Sequence, residues 1–244
     1  MNCGRDKYSG GGCPPKVKIC GITREIESAF INRHLPDYAG FVFAKSKRQI
    51  TPLFVKSLSP LLDRRVKKVG VFVNEDIQKV VEIVGLCGLD VVQLHGEETP
   101  LYVESLRKAL SRPATPQGRE AGKVEIWKAV RVAGAESLQG LENYQADAFL
   151  LDAYREGQYG GTGGTFNWEV AAEVHKKYRI VLAGGLNREN VREAISAVRP
   201  FAVDVSSGVE TDGIKDEIKI RELIREVRTA CFNSSNNRLG NDGP

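Results

Sequence analysis

The sequence lacks the features that mark several large classes of protein. Its 244 residues hold no apolar run approaching a membrane span. The first fifteen carry no stretch of about seven apolar residues and so do not read as a secretory signal. The cysteines, Cys3, Cys13, Cys20, Cys87 and Cys231, are odd in number, form no C-x-x-C pair and have no histidine at zinc-finger spacing. They read as reduced thiols in the cytoplasm rather than as a disulfide or metal framework. Charge of one sign is also missing as a block: 35 Lys and Arg against 31 Asp and Glu leave +4, spread along the chain. That argues against nucleic acid or a membrane surface as a partner.

What is present is alternation. Short β-branched runs recur with amphipathic stretches between them, the pattern of parallel strands joined by crossover helices. The runs predict eight strands: Val17 to Cys20, Gly40 to Phe43, Lys68 to Val73, Val91 to Leu94, Glu125 to Ala129, Ala148 to Asp152, Ile180 to Ala183 and Ala202 to Val205. Each has a helix candidate after it. Thr51-Pro52 and Thr99-Pro100 mark two starts, and Ile77, Val80, Val81 and Val84 trace one apolar stripe. Alternation alone also permits an open doubly wound sheet. The first strand, however, runs into Gly21-Ile22-Thr23 with no G-x-G-x-x-G, which favours a closed (β/α)8 TIM barrel in a single domain.

The expected organisation is a flexible extension over 1–15, the barrel over 16–232 and a polar tail over 233–244. Only Ser111 to Gly122 breaks the rhythm, as a surface elaboration entering the face opposite the expected chemistry.

Barrel active sites lie at the C-terminal ends of the strands. Strand seven ends in Ala183-Gly184-Gly185-Leu186-Asn187 and strand eight in Asp204-Val205-Ser206-Ser207-Gly208. Small residues let backbone amides approach an anion, and serine hydroxyls add donors. Gly184, Gly185, Ser206, Ser207 and Gly208 are therefore candidate phosphate ligands, although each pair alone also fits a tight turn.

Cys20 closes strand one, and its thiol reads either as a proton acceptor or as a small core residue. Lys18 shares its face and is expected to lower its pKa. Asp152 closes strand six, where desolvation would raise its pKa as suits a general acid, or where it caps a loop. Arg48 follows Lys45, Ser46 and Lys47 in a basic loop and is the better anion-orienting group there. Gln93 and His95 share a face at the end of strand four without metal-ligand spacing, and Asp204 points the same way as Ser206.

Read in order, Lys18-Ile19-Cys20-Gly21-Ile22-Thr23, Gly40 to Phe43 with Ser46-Lys47-Arg48, Val69 to Asn74 and Val92-Gln93-Leu94-His95-Gly96 form a series. It continues through Leu150-Leu151-Asp152, Tyr159 to Gly163, Thr165-Phe166 with Trp168, Leu182 to Leu186 and Val203 to Glu210. The series resembles the phosphoribosylanthranilate isomerase family over about Lys16 to Arg228. That resemblance implies an intramolecular oxidoreductase of tryptophan biosynthesis. Its reaction is the Amadori rearrangement of N-(5-phosphoribosyl)anthranilate, a small phosphorylated substrate, to a carboxyphenylamino-deoxyribulose phosphate. It implies no cofactor and no metal, with the protein a monomer or a homodimer.

By the same resemblance Cys20 is the general base, Asp152 the general acid and Arg48 a substrate-binding residue, with the two small-residue loops holding phosphate and His95 and Asp204 lining the pocket; Gln93, by its strand position, reads as a structural hydrogen-bonding group or a substrate contact. Three positions depart from the family pattern: Asn167 replaces a usual Asp, Arg188 a frequent Pro, and Asp212 another frequent Pro. The alternatives are another phosphate-binding barrel enzyme acting on a related aminoaldose, or a non-catalytic phosphate-ligand binding module. The Cys and Asp pair speaks for the isomerase.

Overall fold

Period-two alternation of apolar residues gives eight short strands whose two faces are both buried. The computed structural model describes residues 14–111, 123–152 and 168–230. The strands are β1 (Lys16–Cys20), β2 (Tyr38–Val42), β3 (Lys67–Phe72), β4 (Val91–Leu94), β5 (Glu125–Arg131), β6 (Ala148–Asp152), β7 (Ile180–Ala183) and β8 (Ala202–Val205). All pair in parallel in sequence order. β8 returns to β1 with Lys18 opposite Asp204, so the sheet closes on itself and the open doubly wound alternative is excluded.

Closure separates two apolar regions. Val17, Ile19, Phe41, Phe72, Val92, Leu94, Leu151, Leu182 and Val203 face outward and pack under the helices. Tyr38, Val69, Val91, Trp127, Ala148, Leu150, Val181 and Ala202 face inward and fill the barrel. The inner plug is anchored by Trp127, fully buried edge-on to Tyr38 with ring centroids 4.9 Å apart. The indole N–H donates to Glu125 at 3.0 Å, so the large ring is buried without an orphaned donor.

The helices are α1 (Glu25–His34), α2 (Pro52–Leu58), α3 (Ile77–Cys87), α4 (Pro100–Leu110), α5 (Trp168–Val174), α6 (Val191–Val198) and α7 (Glu217–Thr229). Thr51 and Thr99 cap α2 and α4 with Pro in the first turn, as their order in the sequence predicts. Asp76 and Asp216 cap α3 and α7 in the same way. Among the described residues no helix is long and apolar enough to cross a membrane.

Three expectations need correction. The segment between β5 and β6 holds no α-helix, only short 3-10 turns at Ala135–Leu138 and Leu141–Asn143. Gly134 enters that segment extended, and Gly140 interrupts it with φ of 78°. Leu141 alone supplies a buried apolar side chain from these turns, too little to hold a helix on the sheet. The stripe on α3 is also rotated, because Val80, Ile83, Val84 and Cys87 are the buried set while Ile77 and Val81 lie at its edge. Third, β2 spans Tyr38–Val42 and β3 Lys67–Phe72, each shifted toward the N-terminus, and β5 runs on to Arg131. The extension with Cys3 and Cys13, most of the Ser111 to Gly122 elaboration, the Tyr159 to Asn167 blocks, Cys231 and the tail lie outside the described residues.

Truncating the inner plug should be costly. Trp127→Ala is expected to lower unfolding free energy by about 3–5 kcal/mol, measured by urea denaturation.

Candidate active site

The C-terminal ends of the strands gather every residue singled out from the sequence onto one rim. Cys20 ends β1, Asp152 ends β6, Gln93 lies within β4 with His95 just beyond it, and Asp204 lies within β8. Arg48 stands in the loop after β2. Gly184 and Gly185 follow β7, and Ser206, Ser207 and Gly208 follow β8. The placement follows from strand period: Lys18 and Cys20 share the inward face of β1, Gln93 and His95 that of β4, and Asp204 and Ser206 that of β8.

A polar chain crosses this interior. Lys18 is fully buried, and its ammonium donates to Asp204 Oδ2 at 2.8 Å and to Gln93 Oε1 at 2.9 Å. Gln93 Nε2 lies 3.0 Å from His95 Nδ1, and His95 Nε2 lies 3.3 Å from Asp152 Oδ2. Asp204 is also buried, and its Oδ1 has no hydrogen-bond partner among the described residues. An unsatisfied buried carboxylate oxygen is expensive unless something else supplies its donor.

Burial pushes the Cys20 thiol above its ordinary pKa. Lys18 pulls it down and Asp204 pushes it up again, and the balance stays raised. Lys18 thus lowers the thiol as expected, but it does not set the net direction. Burial outweighs the ammonium, whose charge Asp204 has already neutralised. Lys18 itself is held above its ordinary value: burial lowers it, but Asp204 and Cys20 more than restore it.

A second network fixes the rim on the side of β1, β2 and β8. Arg48 donates from Nε and an Nη atom to the two oxygens of Glu210, at 2.8 and 2.7 Å, a bidentate fork. Buried Lys215 donates to the same carboxylate at 2.6 Å and to the carbonyl of Ser206 at 3.1 Å. Ser206 Oγ in turn donates to the Cys20 carbonyl at 3.0 Å. Gly21 has φ of 83°, and a Cβ there would sit 2.4 Å from Arg48 Cδ, so the arginine lies directly over the residue after Cys20. Beneath, Glu27 accepts from the amides of Thr23, Arg24 and Lys215, tying the loop after β1 to the hairpin Glu210–Thr211 and Ile214–Lys215.

The two small-residue loops meet. A Cβ on Gly208 would fall 2.0 Å from the Leu186 carbonyl oxygen, so only glycine lets them pack this closely. The amides of Gly185, Ser207 and Gly208 form no backbone hydrogen bond among the described residues. A cavity of about 360 Å³ opens on the opposite side of the mouth beside His95, lined also by Glu97, Glu98, Lys128 and Arg131. Among the described residues no three His, Cys, Asp or Glu side chains converge as a metal-ligand set.

Residues 17–226 match the family model described as N-(5'phosphoribosyl)anthranilate (PRA) isomerase. The chain belongs to the phosphoribosylanthranilate isomerase family. It is 51% identical over 215 residues to the N-(5'-phosphoribosyl)anthranilate isomerase of Acetivibrio thermocellus, covering 88% of this chain and 96% of that one.

The fold is similar to the crystal structure of phosphoribosyl anthranilate isomerase from Thermotoga maritima, at TM-score 0.73 and 39% identity over 87% of this chain and 98% of the other. It is also similar to a phosphoribosyl anthranilate isomerase in complex with reduced 1-(o-carboxyphenylamino)-1-deoxyribulose 5-phosphate, at TM-score 0.71 and 38% identity with the same coverage. Every family residue carried over from the sequence motifs thus sits on one face of a closed barrel. Sequence reasoning missed Glu210 and Lys215 as a unit, since their contact comes from a hairpin no motif announces. It also missed Glu27, which reads as an ordinary helix residue.

Glu210→Ala should leave Lys215 buried without its counter-ion and lower stability by about 3 kcal/mol or more, read by urea unfolding. Burial would raise the Glu210 carboxyl, but Arg48 and Lys215 together hold it down at about 2. A depressed acid contributes stability above its unfolded value, here the ordinary 4.5, and loses it as pH falls through the folded value. The Arg48 fork itself should persist until pH nears about 2, while the stability it contributes declines between about pH 4.5 and 2, checked by acid unfolding of wild type against Glu210→Gln.

Proposed function

We propose that this chain catalyses the Amadori rearrangement of N-(5-phospho-D-ribosyl)anthranilate to 1-(2-carboxyphenylamino)-1-deoxy-D-ribulose 5-phosphate. The observation that carries the reading is the placement of Cys20 and Asp152 at the ends of β1 and β6 of a closed barrel, with the paired small-residue loops on the same rim. The reaction needs a proton given to one atom and taken from another, and these side chains supply the two carriers. Asp152 protonates the furanose ring oxygen, which opens the ring to a protonated Schiff base. Cys20 then removes the proton from C2′, and the resulting enolamine goes to the ketone.

The loops after β7 and β8 take the phosphate. The amides of Gly185, Ser207 and Gly208, without a backbone partner among the described residues, suit with the hydroxyl of Ser207 an anion that needs several donors at once. Arg48, held by Glu210 along one edge of its guanidinium, keeps its remaining N–H groups for the anthranilate carboxylate. Asp204 Oδ1, an acceptor without a donor, suits a ribose hydroxyl. With both ends of the substrate gripped, orientation supplies much of the acceleration. The thiolate is the reactive form of Cys20, and in the free protein it is a minority species at neutral pH because burial raises the thiol. Free thiols at Cys20 and Cys87 fit a reducing, cytoplasmic compartment.

The direct test is a single-turnover assay with phosphoribosylanthranilate, following loss of substrate fluorescence. Turnover is expected, and ligand binding without turnover would overturn the catalytic reading. Cys20→Ser and Asp152→Asn should each slow the chemical step by about a hundredfold or more. Near-normal rates in either variant would remove that residue's role. Ser207→Asp should raise the Michaelis constant by placing a like charge beside the phosphate. Carbamidomethylation of Cys20, followed by peptide mass spectrometry, should be slow at pH 7 and still rising without a plateau at pH 9, the thiol's ordinary value.

A further inference from the structure

The chain of polar contacts across the barrel does more than fill space, because the chemistry of each member dictates the next. An ammonium has donors only, so Lys18 obliges Gln93 to present its amide oxygen, at 2.9 Å. The NH2 of Gln93 must then face His95 Nδ1 at 3.0 Å, and an NH2 only donates. His95 Nδ1 is therefore an acceptor carrying a lone pair, and the imidazole proton sits on Nε2. That nitrogen faces Asp152 Oδ2 at 3.3 Å. This assignment does not depend on telling nitrogen from oxygen in the amide, since the lysine settles it.

We propose that Lys18 and Gln93 are positioning residues that lock His95 as the neutral Nε2–H tautomer, so that it donates a hydrogen bond to Asp152 and stabilises the carboxylate formed when Asp152 gives up its proton. The inference rests on the reading of Asp152 as the acid. When Asp152 protonates the ring oxygen it becomes an anion, and the Nε2–H···Oδ2 bond strengthens as that charge develops. No proton travels along the chain, and His95 keeps the one it has.

The surroundings keep the lock in one state. Asp204 neutralises Lys18 and holds it as an ammonium, and Gln93 is 1% exposed, so water does not compete for its amide. Among the described residues, the charged groups around the His95 ring are Asp152 from β6, Lys128 and Arg131 from β5, and Glu97 and Glu98 from its own loop. Lys128 is paired with Glu98 at 3.1 Å. Lys18 from β1 and Asp204 from β8 stand behind Gln93. A second proton on Nδ1 would point at the Gln93 NH2, which opposes the imidazolium from the side away from Asp152.

Imidazole nitrogen shifts test this without relying on activity. The protein has three histidines, His34, His95 and His175, so 15N-histidine labelling with His95→Asn as the assignment control isolates the ring. The wild type should show neutral His95 with the proton on Nε2 at pH 7. Gln93→Glu places a carboxylate that accepts from both Lys18 and Nδ1, so His95 should shift to imidazolium or to the Nδ1–H form. The chemical step should fall about tenfold or more with little change in the Michaelis constant. Gln93→Leu should lose the tautomer preference and part of the rate.

A wild-type ring with its proton on Nδ1, or doubly protonated at pH 7, overturns the inference whether or not any variant folds. So does Gln93→Glu with unchanged tautomer and rate, which would mark Gln93 as structural only. Should Asp152→Asn turn over normally while His95 still shows Nε2–H, it is the acid assignment that fails and the tautomer lock that stands.

Discussion

A lysine ammonium buried inside the barrel is the constraint on which the rest of the site depends. Lys18 has no access to solvent, and a lone buried charge of this kind would cost several kcal/mol. The fold meets that cost with a counter-ion from the neighbouring strand, Asp204 on β8, and an amide oxygen from across the barrel, Gln93 on β4. Closure of the sheet makes both possible, because β8 reaches Lys18 only when it returns to pair with β1. The barrel interior thus holds this polar cluster beside an apolar one in which Trp127 and Tyr38 are the largest fully buried side chains.

Two networks then divide the work of the rim. The interior one runs from Lys18 to Asp152 and sets proton positions. The outer one, from Glu27 through Lys215 and Glu210 to Arg48, sets the shape of the loop after β1 and the direction of the arginine. They meet at Cys20, whose carbonyl is held by Ser206 and whose thiol feels Lys18, Asp204 and Lys215 together. Substitution of a residue far from the reacting atoms, such as Glu27, therefore acts on the same pocket as substitution of Arg48.

The barrel was legible in the sequence because strand period and helix period repeat in alternation, and because burial of both strand faces leaves near-continuous apolar runs. β4, β6, β7 and β8 fall where those runs lie. The helix after β5 was not there to find: glycines at 134 and 140 and a single buried leucine cannot sustain one. Cys20, Asp152, Asp204 and Gln93 were legible by position, since strand ends at one face of a barrel are chemically privileged. Their mutual effect was not. Lys18 beside Cys20 suggests a lowered thiol pKa until the structure shows the ammonium already neutralised by Asp204, a partner 186 residues away in the chain. Local proximity is written in sequence period, whereas the competing partner is written only in closure.

That competition bears on why a buried ammonium stands so near the base at all. If Lys18 served only to lower the thiol, pairing it with Asp204 would defeat the purpose, and Gln93 would be superfluous. A role in fixing the polarity of Gln93 uses the features the thiol argument leaves idle: the donor-only chemistry of the ammonium, the exclusion of water from the amide, and the alignment with His95. Asp204 then has two tasks on its two oxygens. Oδ2 neutralises Lys18, and Oδ1 stays buried as an acceptor without a partner among the described residues. The charge that makes the interior expensive is thus the same charge that gives the amide, the imidazole and the carboxyl their order, and removing it would free each of them to turn.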